Sequence, residues 1–208
     1  MPTQAMRRGG ALGAIVFAIG FLANLLVFTR NFDTPEEVSQ YLDDSKLLIF
    51  LGAIAVGAAG LGFLWFLTQL RAMLAANEDP PGRLSALAFG AGVLFVGLWW
   101  LSSPVDVGVT AVVGSELDHS VYQALRDIAH WQFVYSQLAL ALALLSVYLI
   151  ARNTTVIPKW AVRFTAVITV TTLLYDLATP IVLLLPVWAT AMGIVMLRTD
   201  ERTFETAT

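Results

Sequence analysis

Residues 47–70 read LLIFLGAIAVGAAGLGFLWFLTQL, an apolar run without a single charged side chain. Crossing the hydrocarbon core of a bilayer takes about 20 such residues in a helix. A helix of this run is hydrophobic on every side, which is typical of a membrane span and not of a surface helix in a water-soluble domain. This stretch therefore predicts a membrane protein.

Five further stretches have the same character: residues 11–29, 84–101, 128–151, 160–178 and 181–198. The 208-residue chain is 58% hydrophobic and 13% charged, whereas soluble domains carry about 25% charged residues. Little sequence remains between the stretches. We therefore expect residues 1–208 to form one all-α transmembrane domain, a polytopic six-helix bundle surrounded by membrane lipids, with no nucleic-acid partner.

The charged residues between the stretches are sorted by side. With a cytoplasmic N-terminus, ten of the fifteen acidic residues fall in outer segments and nine of the twelve basic residues in inner ones. The nine are Arg7, Arg8, Arg71, Arg83, Arg152, Lys159, Arg163, Arg198 and Arg202. An excess of Lys and Arg is typical of the cytoplasmic side. The sequence thus predicts a multi-pass cell-membrane protein with both termini in the cytoplasm.

Tryptophans fit the same arrangement. Trp99, Trp100 and Trp131 lie near the predicted outer interface, and Trp65 and Trp160 near the inner one. Amphipathic rings are enriched at both interfaces of a membrane. We therefore interpret these five residues as interfacial anchors.

The two outer connections carry different patterns. Thr34-Pro35-Glu36-Glu37 is a capping box with proline at the first helical position, and it predicts a short helix on the outer surface. In residues 105–113, valine and alanine alternate with Asp106, Gly108 and Thr110. This period of two is typical of a strand. Because an open strand edge cannot face lipid, we interpret the segment as a longer outer loop packed over the helix ends.

Polar residues gather after this segment. A helix over residues 116–137 would place them within an arc of roughly 100°. They are Glu116, His119, Gln123, Arg126, Asp127, His130 and Gln137, and they are here called the polar stripe. Ionisable groups at membrane depth are costly and usually face the bundle interior or a wet cavity. The stripe is therefore the candidate site.

Three interpretations of the polar stripe remain open. Asp127 and His130, helped by His119 and by Asp176 near the end of the fifth stretch, could bind a divalent metal, since imidazole and carboxylate suit zinc, copper or iron. The same residues could instead line a path for protons or a small solute. The third interpretation is that they only solvate and pair charges at a helix entrance.

The general plan of the chain resembles a group of bacterial proteins. Six spans with both ends inside, an acidic first outer loop and the phrase Ile157-Pro158-Lys159-Trp160 before the fifth span are similar to small integral membrane proteins of unknown function, found in actinobacteria and other bacteria. The resemblance covers the whole chain. Those families carry no assigned activity, so it implies the architecture alone.

The functional expectation follows from these patterns. No spaced metal or nucleophile signature is present, so we expect a non-enzymatic protein that acts through its outer face. It would be an accessory or assembly subunit, joined to other membrane subunits or to copies of itself, or a binder of a small hydrophobic ligand. The alternatives are a metal-binding protein or metal-dependent enzyme using Asp127 and His130, and a small-solute transporter.

Overall fold

A computed structural model describes residues 4–28, 34–113, 119–154, 157–174 and 183–205. Within these ranges the regular elements are all helices: α1 (Gln4–Phe28), α2 (Pro35–Asp44), α3 (Lys46–Ala75), α4 (Arg83–Val113), α5 (His119–Ala151), α6 (Lys159–Leu173) and α7 (Leu184–Glu205). Four stretches are long and apolar enough to cross a bilayer: Gln4–Val27, Lys46–Ala75, Arg83–Ser102 and Gln123–Ala151. The predicted all-α class is confirmed for the described residues, and four of the predicted spans are confirmed by helix length and composition.

The last two predicted spans are shorter in the described part of the chain. The helix α6 has 15 residues, and the apolar part of α7 is Leu184–Arg198. At a rise of 1.5 Å per residue, α6 covers about 22 Å, less than a hydrocarbon core of about 30 Å. Both predicted spans, 160–178 and 181–198, include residues outside the described ranges. A full crossing by these two helices stays a prediction.

The six longer helices pack in a closed order. The helix α1 contacts α3, followed in turn by α4, α5, α6 and α7, which packs back against α1. Gly10 of α1 lies beside Gln69, and Gly20 lies beside Ala55, so α1 and α3 are antiparallel. The start of α1 and the end of α3 therefore share one end of the bundle.

Glycines allow α1 and α3 to approach each other closely. A Cβ on Gly13 would lie 2.5 Å from the carbonyl oxygen of Gly62, and a Cβ on Gly62 would lie 2.7 Å from that of Gly13. Gly20 faces the backbone of Ala55 in the same way. Because lipid tails are as apolar as leucine, helices in membranes associate through close packing, and small residues permit it. The small residues of α3 thus make a close contact with α1.

Aromatic rings fill the space between α1, α3, α4 and α7. Each is less than 2% exposed, and they are Phe17, Phe21, Phe63, Phe66, Phe95, Trp99 and Trp188, here called the aromatic core. The centroids of Phe17 and Phe63 are 4.5 Å apart, and Phe95 stacks on Trp99 at 6.0 Å. Such pairs contribute about 0.5–1.5 kcal/mol each beyond their buried area. The prediction that Trp99 is an interfacial anchor is therefore wrong.

Trp188 connects α7 to two other helices. Its ring lies 5.8 Å from that of Phe66 on α3, and its Nε1–H donates a hydrogen bond of 2.9 Å to Thr165 Oγ1 on α6. The second turn of α6 is therefore level with the C-terminal part of α3.

Gly92 of α4 lies beside Leu67 of α3, and Gly60 of α3 lies beside Trp100 of α4, so these two helices are antiparallel. The helix α5 follows α4 after five residues and packs along it, so α5 ends and α6 begins at the end of the bundle at which α3 ends.

The predicted longer outer loop is wrong over residues 104–113. The helix α4 continues through this segment to Val113, and α5 begins at His119. A strand would need a neighbouring strand to pair its N–H and C=O groups, and none is present in the described ranges. A helix pairs its N–H and C=O groups within itself, so the segment forms a helix although its side chains alternate as in a strand.

The connection from α3 to α4 ends in a carboxylate cap. The two carboxylate oxygens of Glu78 accept hydrogen bonds from the backbone N–H groups of Leu84 (2.7 Å) and Ser85 (2.9 Å). N–H groups in the first turn of a helix have no partner within it. Partial burial raises the pKa of Glu78, but the hydrogen bonds from Ser85 and Leu84 lower it, and the net pKa is below its ordinary value of 4.5.

Gly13→Ala tests the close packing of α1 on α3. The added methyl meets the backbone of Gly62, so we expect a loss of about 1–3 kcal/mol in the free energy of unfolding, measured by denaturant titration in detergent. The control is Gly90→Ala on α4, where a Cβ meets nothing within 4 Å and alanine favours the helix. Equal effects of the two changes would contradict this account.

Glu78→Gln tests the cap of α4. Because folding lowers the pKa of Glu78, the cap stabilises the protein fully above the unfolded-state pKa and is lost as pH falls through the folded-state pKa. Near pH 7 the variant should lose about 0.5–2 kcal/mol. Its melting temperature in detergent should also fall less on acidification than that of the wild type. The neighbouring control Asp79→Asn leaves the cap in place, so its stability near pH 7 should stay close to that of the wild type. Parallel pH profiles for wild type and Glu78→Gln would refute the assignment.

Candidate functional site

One end of the bundle is basic. It is formed by the start of α1, the end of α3 and the beginnings of α4 and α6, together with the residues that follow α5 and the Arg198 region of α7. Its described cationic side chains are Arg7, Arg8, Arg71, Arg83, Arg152, Lys159, Arg163 and Arg198, and all but Arg7 are exposed. The carboxylates described here are Glu78, which caps α4, and Asp79.

The opposite end, here called the acidic end, is built around α2. This helix begins as its capping box predicts: Thr34 Oγ1 accepts a hydrogen bond of 3.3 Å from the N–H of Glu37, and Pro35 occupies the first turn. It contacts α3 and α4. The predicted short helix is therefore confirmed.

A single buried phenol fixes α2 to the bundle. Tyr41 is 8% exposed, and its O–H donates a hydrogen bond of 3.0 Å to the carbonyl oxygen of Val27. Val27 lies in the last turn of α1, where carbonyl groups have no partner within the helix. The bond therefore satisfies a terminal carbonyl and attaches α2 to the C-terminal end of α1.

The face of α2 away from the bundle carries negative charge. Glu36, Glu37, Asp43 and Asp44 are exposed, and together with Lys46 they form what we call the acidic ledge. Lys46 Nζ lies 2.9 Å from Asp43 Oδ1, but both side chains are more than two-thirds exposed, so this pair contributes little to stability. Four carboxylates against one ammonium give the ledge a net negative charge.

The described residues of the polar stripe do not line a single cavity or path, because they differ in their exposure. Asp127 and His130 are exposed, and the ring of His130 lies edge-on to that of Trp131 at 5.9 Å. Gln123 is half-buried. Gln137 is 4% exposed, and its Nε2–H donates a hydrogen bond of 3.2 Å to Ser136 Oγ. The stripe thus runs from an exposed part of α5 into the bundle.

The metal interpretation concerns residues that are only partly described. His119 is the first residue of α5, but its side chain is not among those described, and Glu116 and Asp176 lie outside the described residues. Within the described ranges, no three residues among His, Cys, Asp and Glu are grouped as a metal site would require. The structure therefore brings no third ligand to Asp127 and His130 in the part it describes.

Sequence reasoning missed the role of Tyr41. The capping box predicts the helix α2, but it does not indicate the hydrogen bond from Tyr41 to α1. A tyrosine on the apolar face of a short polar helix is a usable signal, because a buried phenol needs a hydrogen-bond partner. The identity of that partner depends on tertiary packing.

Comparison with known protein families, with curated proteins and with solved structures finds no match to this chain.

Tyr41→Phe tests the attachment of α2. Removing the buried O–H leaves the Val27 carbonyl without this donor, so we expect about 1 kcal/mol less local stability and roughly fivefold faster amide hydrogen exchange in α2. The exchange of α3 and α4 should not change. Tyr135→Phe is the control, since this tyrosine on α5 is exposed. Exchange in α2 at the wild-type rate would show that the bond does not hold the helix.

Proposed function

We propose that this chain is a non-enzymatic accessory or assembly subunit of a membrane complex, and that it binds a partner chain through the acidic ledge. The partner surface would be basic. The chain would cross the cell membrane six times with both termini in the cytoplasm, so that the ledge faces the outer side. Copies of the same chain would join such a complex through the exposed apolar side chains of their helices.

The attachment of α2 is the observation that carries this proposal. Thr34 caps the start of α2, and the buried Tyr41 bonds the helix to Val27 at the end of α1. The carboxylates are thereby held on a fixed helix. Fixed charges favour binding because less conformational freedom is lost when the complex forms.

The aromatic core supports a scaffold over a transporter. Its seven rings lie between four helices and are almost completely buried, so the space where a solute path through these helices would run is filled by side chains. Close-packed interiors of this kind resist small rearrangements. The exposed ends are then the natural places for binding.

Native mass spectrometry of the chain extracted from its own membrane in mild detergent tests the proposal. We expect a stoichiometric complex with another chain, reduced at least about tenfold in Glu36→Gln/Asp43→Asn/Asp44→Asn, because buried or close charge pairs at interfaces carry several kcal/mol of coupling. Glu37 stays unchanged because it is the glutamate of the capping box, whose side chain supports the start of α2. A lone chain that is fully stable after extraction would contradict the subunit role.

Lys46→Gln serves as the opposite-sign control. It removes a charge from the same ledge and makes the net charge more negative, so a basic partner should bind at least as tightly as it does to the wild type. If Lys46→Gln weakens the complex as much as the triple change does, binding depends on the shape of the ledge and not on its charge. The proposed basic partner would then be wrong.

A further inference from the structure

We propose that the corner where α5 meets α6 binds the headgroup of an anionic phospholipid, a site separate from the acidic ledge and independent of the proposed function. Arg152 follows the last turn of α5, and Lys159 and Arg163 lie one turn apart at the start of α6. All three side chains are exposed, and Trp160 beside them is 53% exposed. These four residues are here called the α5–α6 corner.

No carboxylate among the described side chains pairs with the cations of the corner. The first turn of α6 also contains no acidic residue. In this part of the chain the three exposed cations therefore stand together without a counter-charge. A basic cluster at a membrane surface attracts anionic headgroups by about 1 kcal/mol per Lys or Arg.

An apolar face on α6 continues directly from these cations. Arg163, Val167 and Val170 follow one another at spacings of four and three residues, and all are exposed. This spacing keeps side chains on one face of a helix. A ligand bound here would thus meet positive charge at one end and an apolar surface along its length, which matches a phospholipid better than a free phosphate.

The end of α5 repeats the arrangement. Leu138, Leu142 and Leu145 are exposed at the same spacing, and Arg152 follows one heptad after Leu145. The helix α5 packs against α6, so two apolar faces approach the same basic corner from neighbouring helices. Acyl chains along these faces would leave the headgroup phosphate at the level of Arg152 and Lys159.

The described residues on both sides of the α5–α6 corner, 152–154 and 157–158, are anchored to the helices. Ile157 is 2% exposed and belongs to the hydrophobic core, while the N–H groups of Asn153 and Thr154 donate to the carbonyls of Ile150 and Ala151. The backbone on both sides of the corner is therefore tied down. Only the long cationic side chains must adjust when a headgroup binds, which limits the entropy lost.

Native mass spectrometry with dioleoylphosphatidylglycerol tests this site, with dioleoylphosphatidylcholine as the reference lipid. The full-length protein should retain phosphatidylglycerol in preference to phosphatidylcholine. The triple variant Arg152→Gln/Lys159→Gln/Arg163→Gln should bind phosphatidylglycerol at least about tenfold more weakly. The matched control is Arg8→Gln/Arg83→Gln/Arg198→Gln, which removes three exposed charges elsewhere at the basic end and should change the affinity less than about threefold.

Three outcomes would overturn the proposal. An equal loss of phosphatidylglycerol affinity in the two triple variants would mean that the whole basic end attracts the lipid as a diffuse charge. An unchanged affinity in both variants would mean that these cations do not bind the lipid. Displacement of the lipid by millimolar inorganic phosphate would indicate a soluble anion as the ligand. The charge-conserving variant Arg152→Lys/Lys159→Arg/Arg163→Lys should keep most of the preference, which separates lost binding from lost folding.

Discussion

The close contact of α1 with α3 is the constraint on which the rest of the bundle depends. At Gly13 and Gly62 the two backbones approach so closely that neither position has room for a side chain. This approach brings Phe17 and Phe63 into contact, and the other rings of the aromatic core pack around that pair. Since lipid supplies no hydrophobic driving force between helices, this packing must supply much of the association energy.

The packed interior leaves the exposed charges of the described residues mainly at the two ends of the bundle. With the rings of four helices buried, charge is concentrated at the basic end and on the acidic ledge. The chain attaches each charged surface to its core: Tyr41 bonds α2 to α1, and Ile157 inserts into the core beside the α5–α6 corner. Each end is therefore a fixed charged surface on a rigid bundle. The two proposals accordingly assign a basic partner chain to one end and anionic headgroups to the other.

The polar stripe shows why a candidate site could be only half predicted. Its described residues from Gln123 to Gln137 share a face of α5 as helical spacing requires, but the helices around α5 cover that face at Gln137 and leave it open at Asp127 and His130. Trp99 and Trp100 make the same point: they are neighbours in sequence, yet the ring of Trp99 is fully buried and Trp100 bonds to Val56 of α3. Whether a side chain is buried depends on the helices packed around it. The spacing of residues within one helix carries no information about those neighbours.

The sequence by itself determined the all-α membrane class, the separation of charge into two ends and the capped start of α2, because apolar run length, charge counts and capping residues act locally. Only the tertiary structure decided which small residues make contact: Gly62 meets α1, while Gly57 and Gly90 meet nothing within 4 Å. It also decided that α4 extends to Val113 and that Tyr41 bonds to Val27. These outcomes depend on residues far apart in the chain, whose meeting is fixed by how the helices pack together.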